Sequence, residues 1–216
     1  MICYTVIMKN AIILHGMPDK EHYLNGGILQ QDSHWLPWLK QNLESNGIET
    51  SVPEIPHPYA PNYKAWCEVF EQFKINDETI LIGHSAGGGF IIRYLAENNI
   101  SVDRVILVAP WLDPDKYLKT MGCEDFFDFE FNGDIANKIL NQVKSIDVLY
   151  STDDDENILK TVEMLKQNFS ENSNENNVIN NAKINYHEFT DRGHFTTEPG
   201  YNNDTLPEAL EICLKS

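Results

Sequence analysis

The stretch that most constrains this chain is Glu78-Thr-Ile-Leu-Ile-Gly-His-Ser-Ala-Gly-Gly-Gly-Phe-Ile-Ile-Arg93. Its apolar opening, Thr79 to Ile82, has the length and composition of a strand buried on both faces. Phe90, Ile91, Tyr94 and Leu95 then recur at helical spacing. Between the two, Gly83 and Gly87 bracket Ser85 in the pattern G-x-S-x-G. A strand that turns directly into a helix at a serine forces that serine into a strained backbone conformation. Glycines two residues before and after leave room for the neighbouring strand and helix. The hydroxyl then stands at the C-terminal end of a strand, over the positive end of the helix. The pattern predicts a nucleophilic serine at Ser85; the competing reading is a glycine-rich turn of a nucleotide-binding or purely structural unit.

Other apolar runs repeat the same alternation along the chain. Ala11 to Leu14, Ile48 to Val52, Arg104 to Ala109, Ile146 to Tyr150 and Lys183 to Phe189 read as strands. Between them, helical spacing marks a segment carrying Trp35, Leu36, Leu39 and Leu43, with Ser33 as N-cap and Asn46-Gly47 as terminator. Tyr63 to Phe73, Ile135 to Val143, Ile158 to Phe169 and Leu206 to Leu214 read as further helices. Met17 to Ser33 is a long polar loop, and Pro53, Pro56, Pro58 and Pro61 impose an extended crossing. Pro110 to Gly133 is irregular and aromatic, and its part up to Phe131 is expected to form a small cap over an acyl group. Strands alternating with helices predict an α/β fold: a doubly wound, mostly parallel sheet with helices on both faces, in a single domain over residues 1–216. Residues 1–8 are expected to be a non-native or disordered extension, and 170–181, rich in Asn, Ser and Glu, a mobile loop.

The net charge of −17 argues against nucleic acid or an anionic membrane surface as partner, since both require basic patches. No apolar run approaches the ~18 residues that span a bilayer. Cys3, Cys67, Cys123 and Cys213 are scattered with no C-x-x-C pair, as expected of reduced thiols in a cytoplasmic protein. No cofactor is implied, and no histidine pair has metal-ligand spacing with a third ligand.

In doubly wound sheets, chemistry sits at the carboxyl ends of the strands. His15-Gly16, Ser85, Asp153 to Asp155 and His194 all follow predicted strands. A serine hydroxyl needs a base to take its proton; an imidazole can accept it and return it to a leaving group. A carboxylate fixes the imidazole tautomer. The order Ser, Asp, His along this chain is that of the α/β-hydrolases. His194, in Arg192-Gly-His-Phe195, is the expected base. Among the three adjacent carboxylates Asp154 is the expected acid, with Asp153 capping or orienting and Asp155 or Glu156 starting the next helix; alternatively all are solvated helix-start residues. An oxyanion hole needs two N–H donors, expected from the backbones of Ala86 and Met17. His15 is expected to shape the loop it opens. His84 is expected to point away from the nucleophile, and His34 carries no motif.

Three segments together, Ile80-Leu-Ile-Gly-His-Ser-Ala-Gly87, Tyr150-Ser-Thr-Asp-Asp154 and Phe189-Thr-Asp-Arg-Gly-His-Phe195, with Trp35-Leu-Pro-Trp-Leu39, resemble the small serine hydrolases of the retinoblastoma-binding protein 9 and YdeN type. The resemblance implies Ser85 as nucleophile, Asp154 as acid, His194 as base, and hydrolysis of small esters. In that family an apolar residue follows the acid by three positions; Ile158 stands at that distance from Asp155, which keeps Asp155 as the alternative acid. The alternative functions are a protein-interaction module on a hydrolase scaffold, with an unknown protein partner, and an acyltransferase.

Overall fold

The computed structural model describes residues 9–170, 182–197 and 199–215. The extension expected at 1–8, and the expected mobile loop beyond residue 170, lie outside these residues. Six strands form: β1 (Asn10–Leu14), β2 (Glu49–Ser51), β3 (Thr79–His84), β4 (Val102–Val108), β5 (Val143–Ser151) and β6 (Lys183–Phe189). They build one parallel sheet in the order β2-β1-β3-β4-β5-β6. The register aligns Ile12, Leu81, Val105, Ile146 and Ile184 across five strands, so the apolar runs read in sequence become a continuous core layer.

Eight α-helices accompany the sheet among the described residues: α1 (Lys20–Gly26), α2 (Leu36–Ser45), α3 (Tyr63–Phe70), α4 (Ala86–Glu97), α5 (Tyr117–Thr120), α6 (Gly133–Leu140), α7 (Glu156–Ser170) and α8 (Pro207–Leu214). The strand order shows why they fall into two layers. The chain moves outward from β1 to β2, then reverses and travels from β3 to β6. Parallel crossovers are right-handed, so reversing the direction of travel moves the crossover helix to the opposite face of the sheet. Accordingly α2 packs with α8, while α3, α4, α6 and α7 pack in succession. The reversal falls between β1 and β3, and a sheet of this kind opens its crevice at that point, beyond the carboxyl ends of the strands. The loop after β1 begins at His15, and the turn after β3 is Ser85.

Several boundaries differ from the sequence reading. The polar loop after β1 contains α1, capped by Asp19, with none of its residues buried. Ser33 does not cap α2: its hydroxyl donates to the Leu29 carbonyl, and the helix begins at Leu36 with Pro37 in its first turn. Val143 opens β5 rather than closing α6, pairing with Val102 of β4. Within the Pro110 to Phe131 segment, Trp111, Leu118, Phe126 and Phe127 are buried against the body of the molecule, while Tyr117 and Met121 are exposed. Phe126 and Phe127 are buried on α4 beside Trp66, Phe90 and Trp111, and Arg93 of α4 donates to the Asp125 and Phe126 carbonyls.

Candidate active site

Ser85 joins β3 directly to α4 with φ 51° and ψ −119°, a conformation that costs of order 1–3 kcal/mol for a residue with a side chain. Its neighbours hold it there from both sides. The Ser85 N–H donates to the Val108 carbonyl at 2.9 Å, and the Ser85 carbonyl accepts from Gly88, Gly89 and Trp111 at 3.0, 3.2 and 3.1 Å. The bracketing glycines serve close approach. A Cβ on Gly83 would lie 2.5 Å from Gly88 N, and one on Gly87 would lie 2.5 Å from the His15 carbonyl oxygen. The elbow is therefore wedged between β1 and its own helix, and only glycine fits at either position.

At the next strand ends, His194 Nδ1 lies 3.0 Å from both carboxylate oxygens of Asp154. A carboxylate accepts, so Nδ1 donates, and in the neutral ring Nε2 is then the acceptor. The Asp154 side chain is 2% exposed, against 31% for His194. Asp155 Oδ1 instead accepts from Asn157 N at 2.8 Å at the start of α7. Asp153 ties the two loops together, accepting from Ser151 Oγ at 2.5 Å, Gly193 N at 3.0 Å and Tyr201 Oη at 3.2 Å. The Ser151 hydroxyl, then burial acting in the opposite sense, then the Gly193 N–H are the main influences on its carboxyl, which is held below the ordinary carboxylate range. Gly193 adopts φ 49°, and a Cβ there would lie 2.6 Å from the Tyr201 ring, so the turn that carries His194 requires glycine twice over.

Two further histidines, neither assigned to the site from the sequence, border it. His84, adjacent to Ser85, lies 2.8 Å by Nε2 from the His194 carbonyl, to which it donates. Its ring stands 5.0 Å from that of His194 and 5.9 Å from Trp35. Burial, reinforced by neighbouring His194 and His34, pushes its pKa well below the usual histidine value. His34 accepts the Thr197 N–H at 3.0 Å on Nδ1, joining the approach to α2 to the loop after His194; burial, then His194 and His22, lower its pKa to about 4. These partners are distant backbone atoms, which no spacing rule identifies. The Ser85 hydroxyl itself makes no hydrogen bond to a described residue within 3.5 Å, and the side-chain partner of His194 is Asp154.

Two backbone N–H groups expected from the sequence to act as donors belong to segments that adjoin Ser85. Ala86 opens α4, where an N–H has no carbonyl one turn below it. Met17 follows Gly16, on which a Cβ would lie 3.0 Å from Ser85 Cβ, so this loop lies against Ser85. Among the described residues, no group of three or more His, Cys, Asp or Glu is arranged to hold a metal ion.

Known proteins resemble this chain in sequence and fold. Residues 24–203 match the family described as serine hydrolase. YdeN of Bacillus subtilis (strain 168) is 27% identical over 142 residues, covering 64% of this chain and 72% of that protein. The crystal structure of the ydeN gene product superposes with a TM-score of 0.71 at 23% identity, covering 94% of this chain and 96% of that one. Est1E from Butyrivibrio proteoclasticus superposes with a TM-score of 0.60 at 12% identity, covering 95% and 85%. Both superpositions are likenesses of fold.

Proposed function

The chain belongs to the serine hydrolase family, and on that premise we propose that it cleaves small carboxylic esters through an acyl-enzyme at Ser85. His194 serves as base and acid, Asp154 orients it, and the Ala86 and Met17 N–H groups receive the oxyanion. The observation that carries this reading is the strained backbone of Ser85, φ 51° at the junction of β3 and α4, held on both sides by hydrogen bonds. Such strain persists where surrounding structure enforces it, and it clusters at reacting residues.

The steps follow from the proton positions. His194 Nε2 takes the hydroxyl proton as Ser85 Oγ bonds to the ester carbon. The carbonyl oxygen becomes an anion facing the two N–H groups, each such donor being worth ~10²–10³ in rate. Collapse breaks the bond to the leaving alcohol, which receives its proton from His194. A water molecule then repeats the sequence on the acyl-enzyme, releasing the acid and restoring Ser85. Asp154 stays a carboxylate throughout and stabilises the imidazolium.

A fluorophosphonate probe followed by peptide mapping tests the reading, together with turnover of p-nitrophenyl esters of graded acyl length. A single adduct on Ser85 and ester turnover abolished by Ser85→Ala are expected. An unlabelled Ser85 with no ester turnover would instead favour the non-catalytic interaction module. Acyl transfer would show as ester products when alcohol acceptors are added.

A further inference from the structure

We propose that His15 is the positioning residue of the oxyanion hole: its ring holds the Gly16 carbonyl and so aims the Met17 N–H toward Ser85. The inference rests on the reading of Ser85 as nucleophile and adds a residue that the triad does not contain.

Two hydrogen bonds define the state of the ring. The Ile55 N–H points at His15 Nε2 at 3.0 Å, so Nε2 is the bare acceptor. Nδ1 lies 2.7 Å from the Gly16 carbonyl oxygen, which can only accept, so Nδ1 carries the proton. One neutral tautomer satisfies both contacts. An imidazolium would set a second donor against the Ile55 N–H. Burial acts in the same direction: the residue is 1% exposed, and desolvation lowers its pKa against the opposing effects of the Gly16 carbonyl and the Glu54 charge. The edge contact with Trp66, ring centroids 5.5 Å apart, limits rotation of the imidazole.

The consequence for Met17 follows from peptide geometry. The Gly16 carbonyl and the Met17 N–H belong to one planar trans unit and point in opposite directions. A bond that fixes the oxygen therefore fixes the hydrogen as well. The unit lies against the nucleophile, since a Cβ on Gly16 would stand 3.0 Å from Ser85 Cβ. With glycine on one side of it and a loop on the other, the peptide has little else to prevent it turning over. The proline-rich crossing acquires a role too. Ile55 lies between Pro53 and Pro56, neither of which can donate, and its buried N–H is delivered to the ring.

The test compares His15→Ala, His15→Asn and His15→Gln. An Asn amide nitrogen can occupy the Nδ1 position and donate to Gly16; a Gln amide reaches the Nε2 position and leaves the carbonyl unheld. The readouts are kcat and KM on a p-nitrophenyl ester, normalised by fluorophosphonate titration, and the inhibition constant of an alkyl boronic acid, which binds serine as a tetrahedral anion. His15→Ala and His15→Gln should lose ~10–100-fold in kcat, a share of the value of one donor, with KM little changed. Boronate affinity should fall in parallel, and His15→Asn should recover most of both. A role confined to folding would lower the titrated active fraction and leave kcat per active site intact, and that result overturns the inference. If His15→Ala does not fold, equal kcat in the Asn and Gln variants overturns it as well. A wild-type Ser85 that the probe does not label removes the nucleophile reading and this inference together. A labelled wild type beside a fully active His15→Ala removes this inference alone.

Discussion

Asp154→Asn exchanges one oxygen for an NH₂ group and should reverse the proton arrangement around His194. In the native site both Asp154 oxygens lie 3.0 Å from His194 Nδ1, and Oδ1 also accepts the Asp155 N–H at 2.7 Å. After substitution the amide oxygen remains with the Asp155 N–H, and the amide nitrogen faces the ring. Two donors cannot share that contact, so Nδ1 gives up its proton and Nε2 acquires it. Nε2 then has no lone pair for the Ser85 proton. The loss expected for a wrong-tautomer histidine is about 10⁴ in kcat, or about 5 kcal/mol of transition-state stabilisation. Since the side chain is 2% exposed, the amide has no room to rotate out into solvent. Asp155→Asn keeps the Oδ1 that caps Asn157 and should stay within about twofold of wild type, as surface substitutions do. The assay is ester hydrolysis by the two variants from neutral to alkaline pH, with circular dichroism to confirm folding. A folded Asp154→Asn protein within tenfold of wild type, or an Asp155→Asn protein equally impaired, would refute the reasoning.

Two further outcomes follow from burial. His84 is kept neutral by the fold, with its pKa well below 6.5, whereas the unfolded chain protonates it at its ordinary value. The unfolded state therefore binds the extra proton, so stability is complete above about pH 6.5 and falls as pH drops below it, by about 1.4 kcal/mol per pH unit for this one group. Urea unfolding between pH 7 and 5 should show a shallower slope in His84→Asn than in wild type, and parallel slopes would exclude the mechanism. Gly87→Ala would drive a methyl to 2.5 Å from the His15 carbonyl oxygen and 2.6 Å from the Leu14 carbonyl oxygen, both backbone atoms of the β1 end. A loss of at least ~1–3 kcal/mol in thermal or urea unfolding is expected, with ester turnover falling further than stability because the elbow shifts; unchanged unfolding would contradict the packing.

The strands were legible because parallel strands covered on both faces must be nearly continuous apolar runs, as Thr79 to Ile82 and Val105 to Val108 are. Boundaries failed where two signals coincided. Val143 follows Ile139 at helical spacing, and the intervening Asn141-Gln142 carries neither Gly nor Pro, so only pairing with Val102 reveals a strand. The helix α1 was invisible because it buries no residue and so has no apolar period to read. Ser85, Asp154 and His194 could be nominated because each follows a strand, and strand ends converge in this topology. His15 was expected to shape its own loop, but its acceptance of the Ile55 N–H, like the contacts of His34 with the Thr197 N–H and of His84 with the His194 carbonyl, could not be read, since each partner is a distant backbone atom.

Among the described residues β6, which leads to His194, has a strand partner on one side only, β5, and none of its residues is fully buried, whereas β3, which leads to Ser85, is buried at every position. The two halves of the proposed chemistry are thus mounted on supports of unequal strength. On warming, the outermost strand should loosen while the middle of the sheet still holds. Turnover would then fade before circular dichroism changes, and cooling from that point would restore it.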